Sequence, residues 1–132
     1  MAIVLVSGGA VAGSFILARH VLGDSSIGAT AATCTTTEVA HTVTIENGEV
    51  SPQHTDAALC DTLTILSKDN RIRLMAFGAH DDHQPYDGVG EKTLEQNQSF
   101  TVTLDQAGTF TFHDHLDDSV QGTFTVAIKP AR

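Results

Sequence analysis

One stretch, Gly108 to Val126, reading GTFTFHDHLDDSVQGTFTV, constrains the fold more than any other. Phe110 and Phe112 alternate with Thr109, Thr111 and His113, the period of a β-strand whose successive side chains point to opposite faces. Continuing that parity places Asp114 on the phenylalanine face, which is the core face, and His113 and His115 together on the threonine face. A turn is expected over Leu116–Gln121. Gly122 then opens a second alternating run, in which Phe124, Val126 and Ile128 share a face. The expectation is a strand, a corner carrying chemically active side chains, and a closing strand.

The same rhythm recurs upstream. Val43 and Ile45 alternate in HTVTIEN, Leu63 and Ile65 in DTLTIL, Ile72, Leu74 and Ala76 in RIRLMAF, and Phe100, Val102 and Leu104 in SFTVTL. Each run predicts a strand with one wet face. Turn residues separate them: Asn47-Gly48, Ser51-Pro52, Lys68-Asp69-Asn70, Gly88 to Gly90, and Asp105 to Gly108. At least six strands in one chain of 132 residues predict an all-β fold, a Greek-key β-sandwich with one core. With 7 Lys+Arg against 16 Asp+Glu the formal net charge is −9. That balance excludes a nucleic-acid partner, which needs a basic footprint, and favours cations. The sequence contains no nucleotide-binding glycine loop, no GxSxG elbow and no nucleophile–base set with defensible spacing.

Upstream of residue 41 the character changes. From Ala2 to Ala18 the chain is free of charge, and Arg19 follows. Residues 1–19 are expected to form a hydrophobic helix serving as a signal peptide or membrane anchor, although no Lys or Arg precedes the apolar run. A short buried helix is the alternative. Residues 20–40 are small and polar, the composition of a flexible linker, and residues 41–132 form the domain. The expected location is extracytoplasmic, with membrane contact through the N-terminal segment only. Cys34 and Cys60 could then pair, pinning the linker to the domain.

These residues carry a resemblance to cupredoxin-like domains. VTIENGEVSPQHTDAALCDTLTILSKDN is similar to the first part of such a domain, with Cys60 where Gly is usual, and EQNQSFTVTLDQAGTFTFHDHLDDSVQGTFTV is similar to the last. Blue-copper members of that family supply a His, a Cys, a second His and a Met to the metal. The matching positions here are Arg73, Asp114, Asp117 and Val120. Without a thiolate a type 1 copper site is not expected, and Arg73 facing Asp114 and Asp117 suggests an ion pair in its place.

Four other histidines look shared with a branch of small exported cupredoxin-like proteins that pairs an HxxH segment with an HDHL segment. They are His80 and His83 in GAHDDHQPYDG, and His113 and His115 in FHDHL. His113 and His115 share a strand face, and a loop carrying His80 and His83 can fold toward them. Such a set suits Cu(II) first, with Zn(II) as the other expected ion; Ni(II) also fits the donor type. Asp81, Asp82 or Asp118 could orient the rings, Asp114 is a further candidate ligand, and Tyr86 either caps the site or packs in the core. His20, His41 and His54 lie outside both motifs. Two arrangements stay open, all four histidines within one chain or ligands shared across subunits, and the resemblance makes a trimer one such assembly. Three functions are compatible with this reading. They are a metal-binding module for storage, delivery or sensing, a metal-free interaction domain tied by Arg73 and Asp114, and a small copper enzyme.

Overall fold

The computed structural model describes residues 31–129. The expected N-terminal helix, signal or anchor, and His20, lie outside these residues. Ten strands follow in order: β1 (Ala40–Glu46), β2 (Glu49–Ser51), β3 (His54–Ala58), β4 (Thr62–Ser67), β5 (Arg73–Ala79), β6 (Asp82–His83), β7 (Glu91–Leu94), β8 (Ser99–Thr103), β9 (Gly108–Asp114) and β10 (Asp117–Ala127). Among the described residues there is no helix. One sheet runs β2-β1-β4-β8 and the other β3-β10-β9-β5-β6, with β7 also paired to β5. The parallel pairs β1–β4 and β3–β10, set among antiparallel neighbours, are what long Greek-key crossovers leave behind. This is the β-sandwich expected from the alternating runs.

The core is the set of inward positions of both sheets. Val43, Ile45, Leu63, Ile65, Val102 and Leu104 face Met75, Phe77, Phe112, Phe124 and Val126, all buried. Tyr86 joins them, its ring 4.8 Å from Phe110 and 5.3 Å from Phe124. Its hydroxyl donates to the Gln106 carbonyl at 2.9 Å, and burial pushes the phenol up to about 12. Tyr86 is therefore a core residue, which settles the choice between capping and packing.

Three local readings need correction. The inward face of β5 is Arg73, Met75 and Phe77, and not the Ile72, Leu74 and Ala76 set that its apolar alternation suggested; Ile72 is exposed. The rule failed because a charged residue holds a core position. The turn after β9 is the pair His115–Leu116, with Asp114 opposite Asp117, and residues 118–120 are instead an insertion in β10 before Gln121 pairs with His113. Ile128 is exposed and does not continue the face of Phe124 and Val126. The strands β2, β3, β6 and β7 are too short or too polar to show a period.

Residues 31–39 of the segment expected as a linker are held against the domain. Cys34 and Cys60 form a disulfide, the Ala32 amide donates to the Asp105 carbonyl at 2.6 Å, and the Glu38 amide to the Cys60 carbonyl at 3.3 Å. Cys60 has φ +72°, the left-handed region that favours glycine, and this explains why a Cys there stands out: the side chain is retained for the bridge.

Candidate metal centre

Two tight hairpins build the site. In the first, β5 turns through His80–Asp81 into β6, with Gly78 opposite His83. Gly78 has φ +87°, and a Cβ there would meet the Asp82 carbonyl oxygen at 2.5 Å, so the hairpin needs glycine. In the second, β9 turns through His115–Leu116 into β10, and the His115 amide donates to the Leu74 carbonyl at 2.7 Å. Strand pairing sets Glu91, Ala76 and His113 in one row across β7, β5 and β9. Directly paired residues point to the same face, so Glu91 and His113 flank a small Ala76 on the face away from the core.

The hairpins bring all four histidines of the two motifs together within one chain. His80 lies 5.5 Å from His113 and 4.8 Å from His115, ring centre to ring centre; His83 lies 5.0 Å and 4.9 Å from the same two. Three rings have one nitrogen tied. His80 Nδ1 is 2.7 Å from Asp118 Oδ1, His83 Nδ1 is 3.1 Å from Glu91 Oε1, and His113 Nδ1 is 3.0 Å from the Gly78 carbonyl. Each partner accepts, so each ring donates from Nδ1 and turns the lone pair of Nε2 the other way. Buried and without a hydrogen-bond partner are His83 Nε2, His113 Nε2 and His115 Nδ1. Burial, with the neighbouring His83, His80 and His115, pushes the His113 imidazole below its ordinary 6.5 against the opposing pull of the Gly78 carbonyl. Neutral imidazole is the form that ligates.

Donor atoms of His80, His113 and His115 lie within 4.8 Å of one another, as do those of His83, Glu91 and His115. Metal–nitrogen bonds of about 2.0–2.1 Å span at most about 4.2 Å across an ion, so closure requires side-chain movements of under an ångström. Imidazole with carboxylate suits Cu(II), Zn(II) or Ni(II). Of the carboxylates expected to orient the rings, Asp118 does so, carried there by the insertion in β10. Asp82 instead accepts from the Gln84 side chain. Glu91 was missed; only the cross-strand row reveals it. His41 pairs with Asp61 at 3.0 Å, and His54 with Asp56 and Thr123, all away from the cluster.

Asp114 is not brought to the histidines. It is fully buried on the opposite face of β9, where Oδ2 accepts from Arg73 Nη1 at 2.9 Å and Oδ1 from the amides of Leu74 and Leu116, both at 3.0 Å. Arg73 also donates from Nη2 to Asp69 Oδ2 at 2.5 Å, and Asp117 Oδ2 lies 3.7 Å from Nη1. Asp69, in the turn expected at Lys68-Asp69-Asn70, accepts from the Asn47 and Gly48 amides as well. Burial alone would raise the Asp69 carboxyl, but Arg73 and these amides outweigh it and hold it below the usual carboxylate range. The positions matching the four blue-copper ligands thus hold a buried guanidinium, two carboxylates and the buried Val120. That set does not fit a type 1 copper ion.

No protein-family model matches the sequence, and no curated protein does. Solved structures do. A purple cupredoxin from Nitrosopumilus maritimus superposes with a TM-score of 0.58 at 15% identity, covering 66% of this chain and 99% of that one. A variant of amicyanin in its reduced state gives 0.57 at 17% identity, covering 74% and 90%. Another amicyanin variant, in its reduced Cu(I) form, gives 0.57 at 18%, covering 73% and 90%. With two sheets in this order and these neighbours, the chain has a cupredoxin-like fold.

Proposed function

We propose that the chain is an extracytoplasmic metal-binding module that uses His80, His83, His113 and His115 to hold copper, with zinc as the alternative ion, for storage, delivery or sensing. One observation carries this reading: three buried imidazole nitrogens with no partner, on rings whose other nitrogens are largely pre-oriented. A buried polar atom left unpaired costs about 1–3 kcal/mol, and a cation among these lone pairs removes that cost. The Cys34–Cys60 bridge supports an oxidising compartment. Blue-copper electron transfer is not part of the proposal, because the thiolate position is Asp114.

A metal-free interaction domain is the second reading, favoured by the Arg73–Asp69–Asp114 network, which closes the core without any ion. Titrating the full chain with Cu(II) and Zn(II), beside a His113→Ala/His115→Ala variant, separates the two. The metal reading expects stoichiometric, histidine-dependent binding and a nitrogen-ligated type 2 copper resonance. No binding tighter than about 100 μM, roughly −5.5 kcal/mol, rejects it and leaves the scaffold reading.

A further inference from the structure

We infer that the histidine face holds two divalent cations, one at His80, His113 and His115 and a second at His83, Glu91 and His115, with His115 serving both. This rests on the metal-binding reading above.

The donor atoms form two triads, and His115 is their common member. His80 and His83 form the widest pair of rings in the cluster, 6.5 Å apart, and share no triad. Their relation to His115 also differs: His80 stacks on it at 14°, whereas His83 stands at 84°. The two rings thus stand in different orientations beside His115, and each belongs to its own triad. The first position has three nitrogens. The second has two nitrogens and the carboxylate of Glu91, which is half-exposed and, among the described residues, ion-paired with His83; to ligate beside Glu91, His83 offers Nδ1, its proton moving to Nε2, so the ion replaces the hydrogen bond between the two side chains. His115 Nδ1 is buried and unpartnered; to serve two ions the ring ligates one through each nitrogen and releases its proton to solvent, as metal binding to a protonated donor does. Asp81, Asp82, Glu91 and Asp118 border the two hairpins and supply negative charge against two dications.

Equilibrium dialysis of the full chain against Zn(II) at neutral pH, beside a Glu91→Gln variant, tests this. The expected result is two zinc ions per wild-type chain and one per Glu91→Gln chain. Gln keeps the size of Glu at a half-exposed position, and circular dichroism checks that the variant folds. One ion per wild-type chain overturns the second position and leaves the metal module standing. No ion overturns both. Two ions retained by Glu91→Gln overturn the assignment of Glu91. With Cu(II), the electron paramagnetic resonance intensity per copper should fall between one and two equivalents, because ions sharing His115 couple; full intensity from both refutes the sharing.

Discussion

Replacing Asp114 with Asn tests whether the buried charge network holds the sandwich. The variant keeps the shape of the side chain and an oxygen for the Leu74 and Leu116 amides, but sets an amide NH2 against Arg73 Nη1, where the carboxylate accepted at 2.9 Å. Arg73 and Asp114 are 1% and 0% exposed, so water cannot replace the lost partner. Removing one member of such a buried pair costs about 3–5 kcal/mol, a large share of the roughly 5–15 kcal/mol that holds a domain together. Asp69 remains on Nη2 and places the expectation toward the lower figure. With a urea slope of about 1–3 kcal/mol/M, the midpoint should fall by at least about 1 M. The assay is urea unfolding by far-ultraviolet circular dichroism, since the chain has no Trp and a single Tyr. Metal affinity per folded chain should stay within a few-fold, because Asp114 and the imidazoles occupy opposite faces of β9. A loss below about 1 kcal/mol, the value of an exposed ion pair, refutes the reasoning.

Gly78→Ala should weaken metal binding at least about tenfold and cost about 1–3 kcal/mol, from its positive φ and the 2.5 Å approach to Asp82; unchanged affinity in a titration contradicts the hairpin argument. Because the folded His113 imidazole sits below 6.5, the stability tied to its neutral form is fully present above pH 6.5 and is lost as pH falls through the folded value. Urea midpoints of the metal-free chain at pH 7.5 and 5 should differ accordingly, and His113→Gln should shrink the difference. Asp61 and Asp69 are held below 3.8, so their contribution persists above that pH and disappears only as acid titrates through their lowered values; a second, acid-side fall in midpoint checks this. Cys34→Ser opens a loop with a sequence separation of 26 residues and should cost about 3.5 kcal/mol by chain entropy, read as a lower melting temperature; a shift near zero rejects that estimate.

Much of the sandwich was legible because its central strands alternate cleanly: Val43 and Ile45, Leu63 and Ile65, Phe110 and Phe112 all lie on the side their period assigned. The histidine face followed from the same parity on β9. Strand β5 was misread because Arg73, a residue that pattern reasoning assigns to water, is buried by carboxylates from elsewhere in the chain. Asp69 and Glu91 escaped for a related reason. The role of Glu91 comes from pairings across strands, Glu91 with Ala76 and Ala76 with His113, and no spacing along the chain encodes such a row; that of Asp69 comes from the loop before β5, where it meets Arg73 and the Asn47 and Gly48 amides. The turn at His115–Leu116 was placed too late because the extra residues lie inside β10, where an insertion reads like a loop.

The guanidinium at the end of the core has one more consequence. Arginine keeps its charge at every physiological pH and has no redox chemistry, whereas a core closed by a copper thiolate would depend on metal supply and oxidation state. With Arg73 built into the sequence, this sandwich is complete as soon as it is folded. On the metal-binding reading proposed above, scarcity or surplus of metal would alter only what the histidine face carries, and the Arg73 ion pairs that close the core would not depend on it.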